Sequence, residues 1–100
     1  MVSFEEHVQR ALDSVPAELA GGLRNVAIVI EDENPQEPDL YGLFDEPELL
    51  PAKVTVYRVP LEADFPDPEE LEREIRVTVL HELAHYFGID EDRLEELGYG

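Results

Sequence analysis

Thr78-Val79-Leu80-His81-Glu82-Leu83-Ala84-His85-Tyr86-Phe87-Gly88 decides how the rest of the chain is read. It contains His-Glu-x-x-His, then a glycine three residues on, then an acid, Glu91, three beyond that. Residues four apart on an α-helix share one face and stand about 6 Å apart along the axis. His81 and His85 can therefore each turn a ring nitrogen onto one metal ion, at about 2.0–2.1 Å for zinc. Glu82 follows His81 by roughly 100° around the helix. That is too far round to join the ligand pair easily, but near enough to touch a metal-bound water. Two ligands and one general base are the working parts of metal-assisted hydrolysis.

The residues leading into the motif read as a long helix. Asp67 caps it, Pro68 takes its first position, and Glu69, Glu70 and Glu72 favour its dipole. Its first half is amphipathic through Leu71 and Ile75. Its second half is apolar on most sides, with Val77, Val79, Leu80, Leu83, Ala84 and Phe87. Glu74, Thr78, His81 and His85, flanked by Glu82, form the polar stripe that is left. The bland account is a pair of hydrogen-bonded histidines on the polar side of a core helix. A helix apolar nearly all round, with two of the chain's three histidines on its single stripe, is better explained by a site. Gly88 suits the left-handed position that ends a helix. A last helix is expected from Glu91 to Leu97, with Leu94 and Leu97 packing inward.

The run His81-Glu82-Leu83-Ala84-His85-Tyr86-Phe87-Gly88-Ile89-Asp90-Glu91-Asp92, with Leu94 and Leu97-Gly98-Tyr99 after it, resembles the small bacterial zincin-like metallopeptidase family. That family was long catalogued as a domain of unknown function. Leu40-Tyr41-Gly42-Leu43-Phe44 and Val54-Thr55-Val56-Tyr57-Arg58 resemble it too, so the resemblance covers most of the chain. It implies a minimal zincin fold, a zinc site and peptidase activity. The larger zincin groups fit less well. No third histidine stands at the position of Glu91, and the only methionine is Met1, which argues against metzincins. Too few residues follow His85 for the distant glutamate helix of gluzincins. An acidic third ligand fits the small family, in which Asp is the more usual residue at the position of Glu91. Asp90, Glu91 and Asp92 compete for that role. Glu91 is favoured as ligand, with Asp90 as helix cap; in the alternative, Asp92 caps, Glu95 completes a box, and Asp90 is freed.

One hundred residues make one domain, residues 1–100, with a single modest core. The fold class expected is α+β: an N-terminal helix, a small mixed β-sheet, the long metal-site helix and a short C-terminal helix. Without cysteine, any metal must be held by histidine and carboxylate. The first residues lack the basic and apolar regions of a signal peptide, and no apolar run approaches a membrane span, so a cytoplasmic protein with no membrane partner is expected. Twenty-five acids against seven Lys and Arg give a formal net charge of −18. Such a surface repels phosphate backbones, which disfavours nucleic acid, and attracts cations and basic peptides. Solubility explains the same charge.

Along the chain, Ser3 to about Leu19 reads as an amphipathic helix with a Ser3–Glu6 capping box and Phe4, Val8, Ala11, Leu12 and Val15 facing the core. His7 on that helix reads as a surface histidine. Val26-Ala27-Ile28-Val29-Ile30 suits a strand buried on both faces. Residues 31–39, acidic and proline-rich, read as an exposed loop. Residues 40–44 are a short strand whose Gly42 signals a bulge or a close backbone approach. Lys53 to Val59 reads as an alternating strand closed by Pro60.

Two functions follow. One is a zinc peptidase with His81, His85 and Glu91 as ligands and Glu82 as base, acting on peptides or unfolded protein laid along the antiparallel sheet edge. Tyr41, Tyr57, Arg58 and Tyr99 are candidate oxyanion stabilisers, with nothing in the sequence to choose among them. The other is a non-catalytic zinc-binding or interaction module on a zincin scaffold. Small size favours the second and an intact Glu82 the first. The oligomeric state is not legible.

Overall fold

Val54, Thr55, Val56 and Tyr57 are all buried, and the sheet is built around them. The computed structural model describes residues 2–15, 21, 25–88 and 91–96; the side chains of His85, Tyr86, Phe87, Glu91 and Leu94 also lie outside the description. In chain order the elements are α1 (Phe4–Asp13), β1 (Val26–Glu31), β2 (Gly42–Asp45), β3 (Ala52–Tyr57), α2 (Arg58–Asp64), α3 (Pro68–Phe87) and α4 (Glu91–Glu96). The architecture is α+β, as expected.

The sheet order is β1-β3-β2. β1 runs parallel to β3, from Val26 opposite Ala52 to Glu31 opposite Tyr57. β2 runs antiparallel to it, from Gly42 opposite Val56 to Asp45 opposite Lys53. A β-branched run covered on both faces takes the centre, which is why β3 shows no alternation in burial. β1 was expected to be buried on both faces and is not. It lies at the sheet edge, with Ala27 exposed and Ile28, Val29 and Ile30 half-buried. A continuous apolar run reads alike whether its strand has one neighbour or two.

β3 also stops sooner than its sequence implies. Arg58 and Val59 leave the strand and open α2, with Pro60 as the third residue of that helix. Proline is tolerated in a first turn, where the missing N–H has no intrahelical partner. Arg58 supports the turn by reaching Glu62, one turn on, at 2.6 Å and Asp32 at 3.0 Å.

In α1, Ser3 Oγ accepts the Glu6 backbone N–H at 3.2 Å. The helix ends at Asp13, short of Leu19; residues 16–20 lie outside the described residues. Phe4, Val8, Ala11 and Val15 enter one core with Leu71, Ile75, Val79 and Leu83 of α3 and with Val54 and Val56. Leu12 packs at its margin. His7 is not a surface residue: it is 7% exposed, and its Nδ1 lies 2.5 Å from Glu72 Oε2. It faces α3, where a carboxylate waits for it, and a half-polar ring can be buried when paired.

α3 has the ends its sequence dictates. Asp67 Oδ2 accepts the Glu70 N–H at 3.1 Å and Pro68 takes the first position. Gly88 (φ 68°, ψ 25°) ends it in the left-handed region, its N–H donating to the Ala84 carbonyl. Among the described residues no helix is long and apolar enough to cross a membrane.

Candidate metal centre

The polar stripe of α3 faces the start of β2. Glu74, Val77, Thr78, His81 and Glu82 line one side of a groove of about 260 Å³, with Leu40, Tyr41 and Gly42 on the other. Helical spacing makes this stripe: 74, 78 and 81–82 fall on one face, while 75, 79, 80 and 83 turn into the core. His81 and Glu82 are half-buried on it.

Gly42 sets how near the strand comes. A Cβ built there would lie 2.5 Å from Thr78 Cγ2, 3.2 Å from the Thr55 carbonyl oxygen and 3.8 Å from Glu82 Cγ. Only a residue without a side chain lets the edge strand rest on the helix beside the His-Glu pair. The close approach that its sequence signalled is real, and its reason is Thr78.

Tyr41 forms the groove's far wall. Its hydroxyl donates to Asp64 Oδ2, and its ring meets Phe65 edge-on with centroids 5.7 Å apart. Its carbonyl accepts the Tyr57 N–H at 2.9 Å. The Tyr41 phenol is pushed up to about 12, first by the hydrogen bond to Asp64, then by burial and by the charges of Asp64, Glu74 and Asp39. It therefore stays protonated across the neutral range.

Tyr57 and Arg58 are engaged elsewhere. Tyr57 is 3% exposed and its hydroxyl accepts from Asn34 Nδ2 at 3.0 Å. Arg58 is held by Asp32 and Glu62. Tyr99 lies outside the described residues. Of the four, Tyr41 is the one that the described groove contains. Asp64 is not legible as its partner in the sequence, because 23 residues separate them.

Of the expected ligands, His81 is described in full. His85 stands one turn further along α3, and Glu91 is the first residue of α4, three past Gly88; the side chains of both lie outside the description. Asp90 lies outside it altogether. Asp92 is exposed and already inside α4, so the alternative in which it caps that helix is corrected. Among the described residues no three metal-ligating side chains come together. The donors that the sequence offers, histidine nitrogen and carboxylate oxygen with no cysteine in the chain, are of a kind that zinc takes. The backbone of Gly42, in a place any Cβ would crowd, keeps the groove beside His81 and Glu82 free of a side chain from residue 42.

A long helix carrying His-Glu-x-x-His against the antiparallel edge strand of a small mixed sheet defines a metallopeptidase scaffold of the zincin kind. A family model described as Zincin-like metallopeptidase matches residues 23–100, and the chain belongs to that family. No curated protein matches the chain.

Proposed function

We propose that the protein is a zinc-dependent peptidase, with His81, His85 and Glu91 holding the metal and Glu82 as general base. The observation that carries this reading is the groove in which His81 and Glu82 stand beside the backbone of an edge strand. Zinc, when bound, supplies a Lewis acid that polarises a carbonyl and brings the pKa of water to about 7.

The chain's own residues do the rest. The Glu82 carboxylate takes the proton of the attacking water and returns it to the leaving amine. Among the described residues β2 has β3 on one side only, and its other edge would pair with an extended peptide. Strand pairing fixes the carbonyl at a set height along α3, and side chains of alternate residues then point toward the helix. The described groove offers few such contacts, so little remote binding energy reaches the reacting centre. Short or unfolded chains are the substrates this suits.

Cleavage of an unstructured peptide mixture by the zinc-reconstituted chain, read by mass spectrometry, tests the proposal. Products that appear with zinc and vanish on chelation are expected. No products at any zinc concentration would refute it.

A further inference from the structure

The groove continues past the His-Glu pair toward the N-terminal end of α3, and its character changes there. Leu40, Tyr41 and Val77 make apolar walls, and Glu74 stands at the end, half-buried. Among the described residues Glu74 forms no hydrogen bond or ion pair, although its charge reaches the Tyr41 hydroxyl. Among the described residues no Lys or Arg lines the groove. A carboxylate at the end of an apolar groove offers a partner to a cationic head placed there.

The whole groove, the His-Glu end included, is small. Ligand pockets for whole small molecules run to about 300–1,000 Å³, and this groove is about 260 Å³. Glu74 lies seven residues, about 10 Å along the helix axis, from His81. An extended peptide covers that distance in about three residues. Lys and Arg bury a methylene stem against apolar surface and keep the charged head at its end.

We propose that this end of the groove is a specificity subsite for a lysine or arginine side chain of the peptide substrate, Leu40, Tyr41 and Val77 taking its stem and Glu74 its charge. The proposal rests on the peptidase reading, since it places the peptide along β2. Tyr41 is held for this role by Asp64 and Phe65, which fix its ring as a wall. The strong negative charge of the whole chain draws cationic peptides in general; Glu74 makes the attraction depend on position.

The test uses the full chain carrying Glu82→Gln, reconstituted with zinc, which is to hold peptides uncut. Fluorescence anisotropy then compares unstructured peptides that differ only in lysine or norleucine, with the varied position walked along the sequence. At one position lysine should bind about fivefold tighter or more. Adding Glu74→Gln should erase that preference. Adding Glu48→Gln, which removes the same charge from the loop after β2 and does not line the groove, should keep it. Equal binding at every position, a preference that survives Glu74→Gln, one lost equally with Glu48→Gln, or no binding at all would overturn the subsite. Hydrolysis by the zinc-loaded wild type separates the two ideas. A Glu74-dependent preference without cleavage refutes the peptidase alone, and cleavage without the preference refutes the subsite alone.

Discussion

Gly42 of β2 and Thr78 of α3 meet so closely that a Cβ on residue 42 would stand 2.5 Å from the threonine Cγ2. Thr78 is a short, branched side chain in mid-helix and has little room to swing away. Gly42→Ala should therefore push β2 from the helix and cost about 1–3 kcal/mol, the range for overpacking. Thr78→Ser removes the clashing methyl and should recover most of that loss in the double variant. Urea unfolding of the two single variants and the pair measures it; additive losses would contradict the contact.

His7 and Glu72 tie α1 to α3 across the core's edge. His7→Ala should cost about 1–3 kcal/mol, because it leaves a half-buried carboxylate short of its donor. Arg10 reaches the same carboxylate at 3.8 Å but is itself largely exposed, so Arg10→Ala should cost no more than about 1 kcal/mol. Equal losses for the two variants, by thermal or urea unfolding, would show that the histidine is not the partner that matters.

These contacts also mark what the sequence could and could not show. α3 was legible at both ends because Asp67, Pro68 and Gly88 each carry a local signal that needs no tertiary partner. Gly42 was legible as a close approach, but the atom it approaches was not. His7 reads as a surface residue because its carboxylate lies 65 residues away. The burial of β1 was overstated because apolar content does not reveal how many strands flank it. Pro60 was read as a stop, yet the same residue is at home in the first turn of α2. Within the site, His81 and Glu82 announce themselves by spacing, whereas the Tyr41–Asp64 bond and, among the described residues, the lack of a partner for Glu74 emerge only from tertiary packing.

Tyr41 gives a prediction in alkali. Its phenol is held protonated in the folded chain up to about 12, against an ordinary 10.0. Stability from this source is complete below pH 10 and is lost as pH rises toward 12. The difference between the ultraviolet titrations of the wild type and Tyr41→Phe should show the Tyr41 phenol ionising above its ordinary 10.0, toward about 12. Asp64→Ala removes the first cause and should bring Tyr41 back toward 10.0. A Tyr41 phenol that ionises at 10.0 in the wild type would contradict the Tyr41–Asp64 bond.

The third ligand can be decided by three alanine variants. Glu91→Ala should lose the most zinc affinity. Asp90→Ala should mainly lower stability, by about 0.5–2 kcal/mol, as a lost helix cap does. Asp92→Ala, at an exposed position inside α4, should change little. Zinc titration that finds Asp90→Ala or Asp92→Ala metal-free while Glu91→Ala keeps its ion would reassign the site.

If Glu82 performs chemistry beside a bound zinc, turnover of an unstructured peptide should separate zinc-loaded wild type from zinc-loaded Glu82→Gln. Both chains should carry one zinc. The wild type should cleave, and the variant should be slower by about 10²–10⁴-fold, the usual contribution of a general base. Equal turnover in the two would remove Glu82 from the mechanism. Zinc bound by both with no turnover in either would make the protein a metal-binding module on a zincin scaffold, contrary to this account.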